Sequence, residues 1–158
     1  MSYQIWFAYM LACCVISVSP GAGAIASMSS GLNYGFRRGY WNVLGLQLAL
    51  IVQIIIVAAG VGVLFATTPL AFLVVKWFGV LYLLYLAYLQ WTAPTQSIDI
   101  QTDQTQKYIP KLIFHGFLVN MSNPKAIVFL LAVLPQFLDL NKPQWIQYVI
   151  MAATMITI

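Results

Sequence analysis

The run Asn120-Met121-Ser122-Asn123-Pro124-Lys125 sets an ammonium, two carboxamides and a proline inside an otherwise apolar stretch. An ammonium flanked by amides suits capture of a carboxylate. Proline lacks a backbone N–H and clashes with the carbonyl four residues back, so Pro124 is expected to free the carbonyl of Asn120. A second run, Ser17 to Gly23, joins two hydroxyls to Pro20, Gly21, Ala22 and Gly23. Here the carbonyl of Ile16 is expected to be released, and small residues let a solute approach the backbone closely. Each run also has a plainer reading: a tolerated proline kink, and a Lys125 that snorkels or pairs structurally. A third set, Asn42, Gly45, Ala49, Gln53 and Gly60, falls on one face of a helix and is expected to look toward other helices. Within it, Gln53 is the member placed to line a path.

Other chemistries find little support. Cys13 and Cys14 are adjacent, poor disulfide partners, and His115 is the single histidine, so no metal spacing exists. There is no phosphate loop and no nucleophile–His–acid set. Neither enzymatic activity nor a cofactor or metal is expected. His115, near a predicted span end and without an evident partner, reads as interfacial.

The elements that must carry these residues belong to a membrane. Of 158 residues, 62% are hydrophobic and 6% charged, whereas a soluble domain carries about 25% charge. The net charge of +4 is scattered, with no basic stripe, so nucleic acid is not an expected partner. Ala22-Gly23-Ala24 imitates a signal-cleavage site. Without a positive segment before it, the first apolar run reads as a retained span.

Spanning about 30 Å of hydrocarbon takes about 20 apolar residues. Four segments qualify: Ile5–Met28, broken at Pro20-Gly21, then Tyr40–Ala66, Leu70–Trp91 and Leu112–Leu134. A fifth opens near Trp145 and reaches Ile158 after about 14 residues, a rise of about 21 Å. The sequence is therefore read as ending within a helix. Lys125 then lies about 20 Å from Leu112, near the bilayer midplane, and should face the bundle interior. Continuous apolar runs exclude a barrel, leaving an all-α polytopic helix bundle.

Arg37 and Arg38 in one link, with Lys107 and Lys111 in another, outnumber Lys142 on the opposite side. The N-terminus is thus expected outside and residues 92–111 in the cytoplasm. Tyr3, Trp6, Tyr40, Trp41, Trp91, Tyr108 and Trp145 near the span ends fit an aromatic belt. Gly31, Gly35 and Gly39 read as a cytoplasmic turn. Broken first and fourth spans, each opening a triplet, point to an inverted repeat of three-helix units, the second incomplete within its second helix. The expected divisions are 1–91, a loop at 92–111, and 112–158.

Five linked motifs sharpen this: Ser19-Pro20-Gly21; Gly31-x-x-x-Gly35-x-Arg37-x-Gly39; Lys76-x-x-Gly79-x-x-Tyr82-Leu83; Asn123-Pro124-Lys125 with Phe129; and Pro135-Gln136-Phe137. In order along the whole chain they resemble the LysE/RhtB family of bacterial amino-acid exporters, and Ser19 to Ile25 is most like its homoserine-type subgroup. Ala22 stands where the commoner family form has a second proline, and Ala87 where a glycine is usual. The resemblance implies six spans in the bacterial inner membrane and export of a small amino acid driven by an ion gradient, expected to be protons. It also implies a fifth-span acid beyond Ile158 as a partner for Lys125. Lys125 with Asn120 and Asn123 would attract the substrate carboxylate, and Pro20–Gly23 would complete the site. The expected partners are the amino acid and the bilayer; a homo-oligomer is compatible, though no motif encodes one. The competing readings are a non-transporting membrane scaffold and an inactive exporter fragment.

Overall fold

The computed structural model describes residues 1–67, 69–92, 108–139 and 141–158, with side chains except at 61–69, 71, 72 and 90. The described residues form seven α-helices and a short 3₁₀ turn: α1 Tyr3–Val18, α2 Ala22–Tyr34, α3 Phe36–Thr67, α4 Pro69–Thr92, α5 Ile109–Met121, α6 Pro124–Val133, the turn Leu134–Phe137, and α7 Gln144–Thr157. No strand occurs among them. The fold is an all-α membrane helix bundle.

Among the described residues, Phe36–Gly60 is long and apolar enough to cross a membrane as one helix. Ile109–Met121 with Pro124–Phe137 forms a second such segment if taken as one broken span, bent by 54°, and α1 with α2 a third. Large apolar side chains such as Val15, Ile55, Phe78 and Val149 are exposed on several helices. Water would penalise that much exposed apolar surface, whereas lipid does not.

Packing divides the chain into two units. The first comprises Met1–Ser19, Gln53–Leu84 and Val128–Ile158; the second comprises Pro20–Val52 and Tyr85–Ile127. In the first unit, α1 packs on α7 and on the 3₁₀ turn. Tyr9 is fully buried, donates its hydroxyl to the Met151 carbonyl at 3.3 Å and meets Phe137 edge-on. The Trp6 indole donates to Thr154 Oγ1 at 3.1 Å. Gln147, also buried, clamps the turn before its own helix. It donates to the Asp139 carbonyl at 2.8 Å and accepts the Asp139 N–H at 2.9 Å. Lys142 pairs with Asp139 at 3.5 Å.

In the second unit α2 packs on α5, and the start of α3 lies against both. Asn42, with no exposed surface, donates Nδ2 to the Ala26 carbonyl of α2 at 3.0 Å. Its Oδ1 lies 3.4 Å from His115 Nδ1 of α5. Gly116 of α5 rests directly on the Asn42 backbone, and Gly45 rests on Ile113, leaving no room for a methyl at either glycine. Asn120 Nδ2 donates to the Leu46 carbonyl at 2.8 Å. Pairing 42 with 116 and 46 with 120 gives a constant offset, so α3 and α5 run parallel.

Several expectations change. Of Gly31, Gly35 and Gly39 only Gly35 is the turn, at φ 75°, a left-handed conformation that favours glycine. Gly31 and Gly39 are helical, and a methyl on Gly39 would lie 2.9 Å from Gly31 Cα, so the pair is a close backbone crossing. The α3 start accordingly moves back to Phe36. The buried stripe of α3 runs Asn42, Gly45, Ala49, Gln53 and then Val57, not Gly60, which is exposed. Gly60 keeps the helical phase of Asn42, but among the described residues nothing stands within 4 Å of where its methyl would be, so the face is open at that level. His115 has Asn42 as partner and is more than an isolated interfacial residue. α5 opens at Ile109, which puts Lys111 in its first turn. Most of the expected loop 92–111, including Asp99, Asp103 and Lys107, lies outside the described residues.

Candidate functional site

The first break forms because Pro20 disfavours the helical region for the residue before it. Ser19 is extended at φ −78°, ψ 115°, and α1 stops at Val18. Gly21 caps α2 in an extended conformation at φ −116°, ψ −178°, and its carbonyl accepts the Ile25 N–H at 3.1 Å. Ala22 and Gly23 are therefore the first two residues of α2. Their N–H groups belong to the opening turn, which has no intrahelical acceptors. Leu46 packs beside Gly23, 3.5 Å from where its methyl would stand.

The second break is built differently. α5 ends at Met121, and the Asn123 N–H turns back onto the Asn120 carbonyl at 3.1 Å. That carbonyl, expected to be released by Pro124, is thus taken up by a tightened last turn. Pro124 opens α6, the position where a missing N–H and fixed φ do no harm. Asn123 acts as the cap: its Oδ1 accepts the Lys125 N–H at 3.1 Å and its carbonyl accepts that of Ile127 at 3.2 Å.

The two breaks meet within the second unit. A methyl placed on Gly21 would lie 3.3 Å from Lys125 Cδ, 3.8 Å from Lys125 Nζ and 3.9 Å from Asn123 Nδ2. The half-buried Lys125 stem therefore lies over Gly21, and two hydrogen-bond donors flank the same small volume. Asn123 must point its NH2 there because its oxygen is committed to the Lys125 amide. The N-terminal ends of α2 and α6 come together at this point, each carrying about half a positive charge. The described residues of this unit contain no Asp or Glu. Such a place suits an anionic or strongly accepting oxygen group.

Of the residues singled out from the sequence, Pro20, Gly21, Ala22, Gly23, Asn120, Asn123, Pro124 and Lys125 fall in the second unit. Pro20 and Ala22 are exposed, Asn123 is buried, and Asn120 braces α5 against α3. Gln53 is grouped with the first unit, where it is buried. Asn42 was legible only as one member of a packing stripe, and nothing local showed that it would tie three helices. Gln147 went unnoticed, although a single amide amid apolar residues at 146–153 is a signal for a buried polar clamp.

Comparison with known proteins agrees with this architecture. The family described as LysE type translocator matches residues 14–158. The homoserine/homoserine lactone efflux protein of Salmonella typhimurium is 40% identical over the whole chain, which covers 76% of that relative. An uncharacterized membrane protein of Vibrio cholerae is 38% identical, again over the whole chain and 77% of its own length. The leucine efflux protein of Klebsiella pneumoniae is 29% identical over 95% of the chain and 71% of the relative. No solved structure matches. With broken helices, motifs and family match in agreement, the chain belongs to the LysE family of translocators.

Proposed function

We propose that this protein exports homoserine, homoserine lactone or a similar small neutral amino acid across the bacterial inner membrane. The observation that carries the reading is the donor-lined volume over Gly21, where Lys125 Nζ and Asn123 Nδ2 face the opening turn of α2. A substrate carboxylate, or the ring carbonyl of a lactone, would be held by these donors and by the α2 amides of Ala22 and Gly23. Pro20 and Pro124 keep both backbones interrupted, and Asn120 holds α5 in register. The protein is a transporter rather than an enzyme on this reading, in keeping with the efflux names of its relatives.

Transport proceeds by alternating access, driven by the proton gradient, about two inverted three-helix units divided near residues 92–111. The paired breaks support that symmetry. The shared end of the parallel helices α3 and α5, carrying Arg37, Arg38 and Lys111, supports a cytoplasmic placement for that end and an outside N-terminus.

Counterflow of labelled homoserine in vesicles, run with wild type and Lys125→Gln, tests the reading. Wild-type exchange with loss of at least tenfold in the variant, at equal membrane insertion, is the expected result. Absence of exchange by the wild-type chain would favour a scaffold or an inactive fragment. Full exchange by Lys125→Gln would remove the ammonium from the mechanism.

A further inference from the structure

The start of α3 and the start of α5 hold a second concentration of positive charge, at the opposite end of α5 from the Lys125 site. Because α3 and α5 are parallel at a fixed offset of 74 residues, set by Asn42 against Gly116 and Leu46 against Asn120, residue 37 is level with residue 111. Arg38 stands one turn before Asn42 and Lys111 one turn before His115, on the faces that bring Asn42 Oδ1 and His115 Nδ1 to 3.4 Å. Arg37, Arg38 and Lys111 are all exposed.

This arrangement is electrostatically unfavourable by itself. Like charges stand at one level on two packed helices, and each sits in a helix first turn, where the dipole already favours negative charge. Neither first turn contains an acid. The described part of the unit holds no carboxylate to offset them, and the nearby titratable group, His115, carries no negative charge. Around the cations, Phe36, Tyr40 and Tyr108 are exposed, as side chains at a headgroup level would be.

We infer that Arg38 and Lys111, with Arg37 beside them, form a seat for the phosphate of an anionic phospholipid at the membrane interface. The lipid phosphate would bridge the two helix starts and relieve their repulsion, while its acyl chains cover the exposed apolar flanks of α3 and α5. Charge complementarity and the aromatic rim favour a lipid over a soluble anion.

The test uses the purified full chain in detergent, with bound lipid counted by native mass spectrometry. Phosphatidylglycerol should be retained in preference to phosphatidylcholine of the same chains. Arg38→Gln/Lys111→Gln should lower retention by about thirty-fold, as expected for two interfacial cations. Arg38→Lys/Lys111→Arg should restore it, and Lys142→Gln should leave it unchanged. Equal retention of the two lipids, or undiminished retention by the double Gln variant, would overturn the inference. So would equal thermal stabilisation by inorganic phosphate, which would make the ligand a soluble anion. A several-fold rise in retention for Asp99→Asn/Asp103→Asn would overturn it by making those acids the native occupants. The measurement involves no transport, so its outcome is independent of the exporter reading.

Discussion

Gly21 and Asn123 set what the donor-lined volume can accept. Gly21 has an ordinary extended backbone, so its small size matters for space rather than for conformation. In Gly21→Ala the new methyl would stand 3.3 Å from Lys125 Cδ, a crowding that the flexible lysine stem can absorb by moving a few tenths of an ångström. We predict that Gly21→Ala folds with wild-type stability and exports at a reduced rate. Gly21→Val should fill the volume and abolish counterflow. Export by Gly21→Val at the wild-type rate would show that no substrate passes there. Asn123→Ala should cost about 1 kcal/mol from the lost cap. A thermal unfolding series in detergent reads that change, and an unchanged midpoint would argue against the cap.

At the scale of elements, the breaks were legible because proline acts locally: Pro20 ends α1 two residues earlier and Pro124 starts α6 whatever surrounds them. Partners distant in sequence were not legible. Nothing near Asn42 shows that it reaches Ala26 and His115, and nothing near Gly39 shows that it crosses Gly31. The Asn120 carbonyl was misjudged because a tightened helix end can recover a group that proline releases. The glycines separate these cases experimentally. Gly116→Ala drives a methyl into the Asn42 carbonyl and should destabilise by about 1–3 kcal/mol. Gly60→Ala meets nothing within 4 Å and should be neutral or slightly stabilising. Equal unfolding midpoints for these two variants would contradict the packing described for α3 and α5.

For the molecule as a whole, composition decided the class because charge is so scarce, and periodicity then placed the buried stripe as far as Gln53. Its last step failed although Gly60 shares the phase of Asn42. Phase tells which face a residue is on, not whether a neighbour covers that face at its level. Among the described residues nothing lies within 4 Å of a methyl on Gly60, while Val57 is buried. The lipid-exposed surface gives a global test. Ile55→Lys adds a charge to an exposed mid-helix position of α3, where insertion costs about 2.5–3.5 kcal/mol. Its fraction integrated into membranes should fall clearly, as scored by alkaline extraction. Tyr3→Lys, near the chain start, should integrate normally. Equal integration of the two would mean that Ile55 does not meet hydrocarbon.

The cap at the second break has one more consequence. Asn123 spends its oxygen on the backbone of Lys125 and offers only hydrogens to the space above Gly21. An aspartate there would preserve the cap yet aim a permanent negative oxygen at the neighbouring ammonium, and the two would latch. The side-chain amide thus keeps a negative charge away from the lysine. Asn123→Asp should produce a well-folded protein, unchanged in its unfolding midpoint, whose counterflow is jammed by its own internal counter-ion.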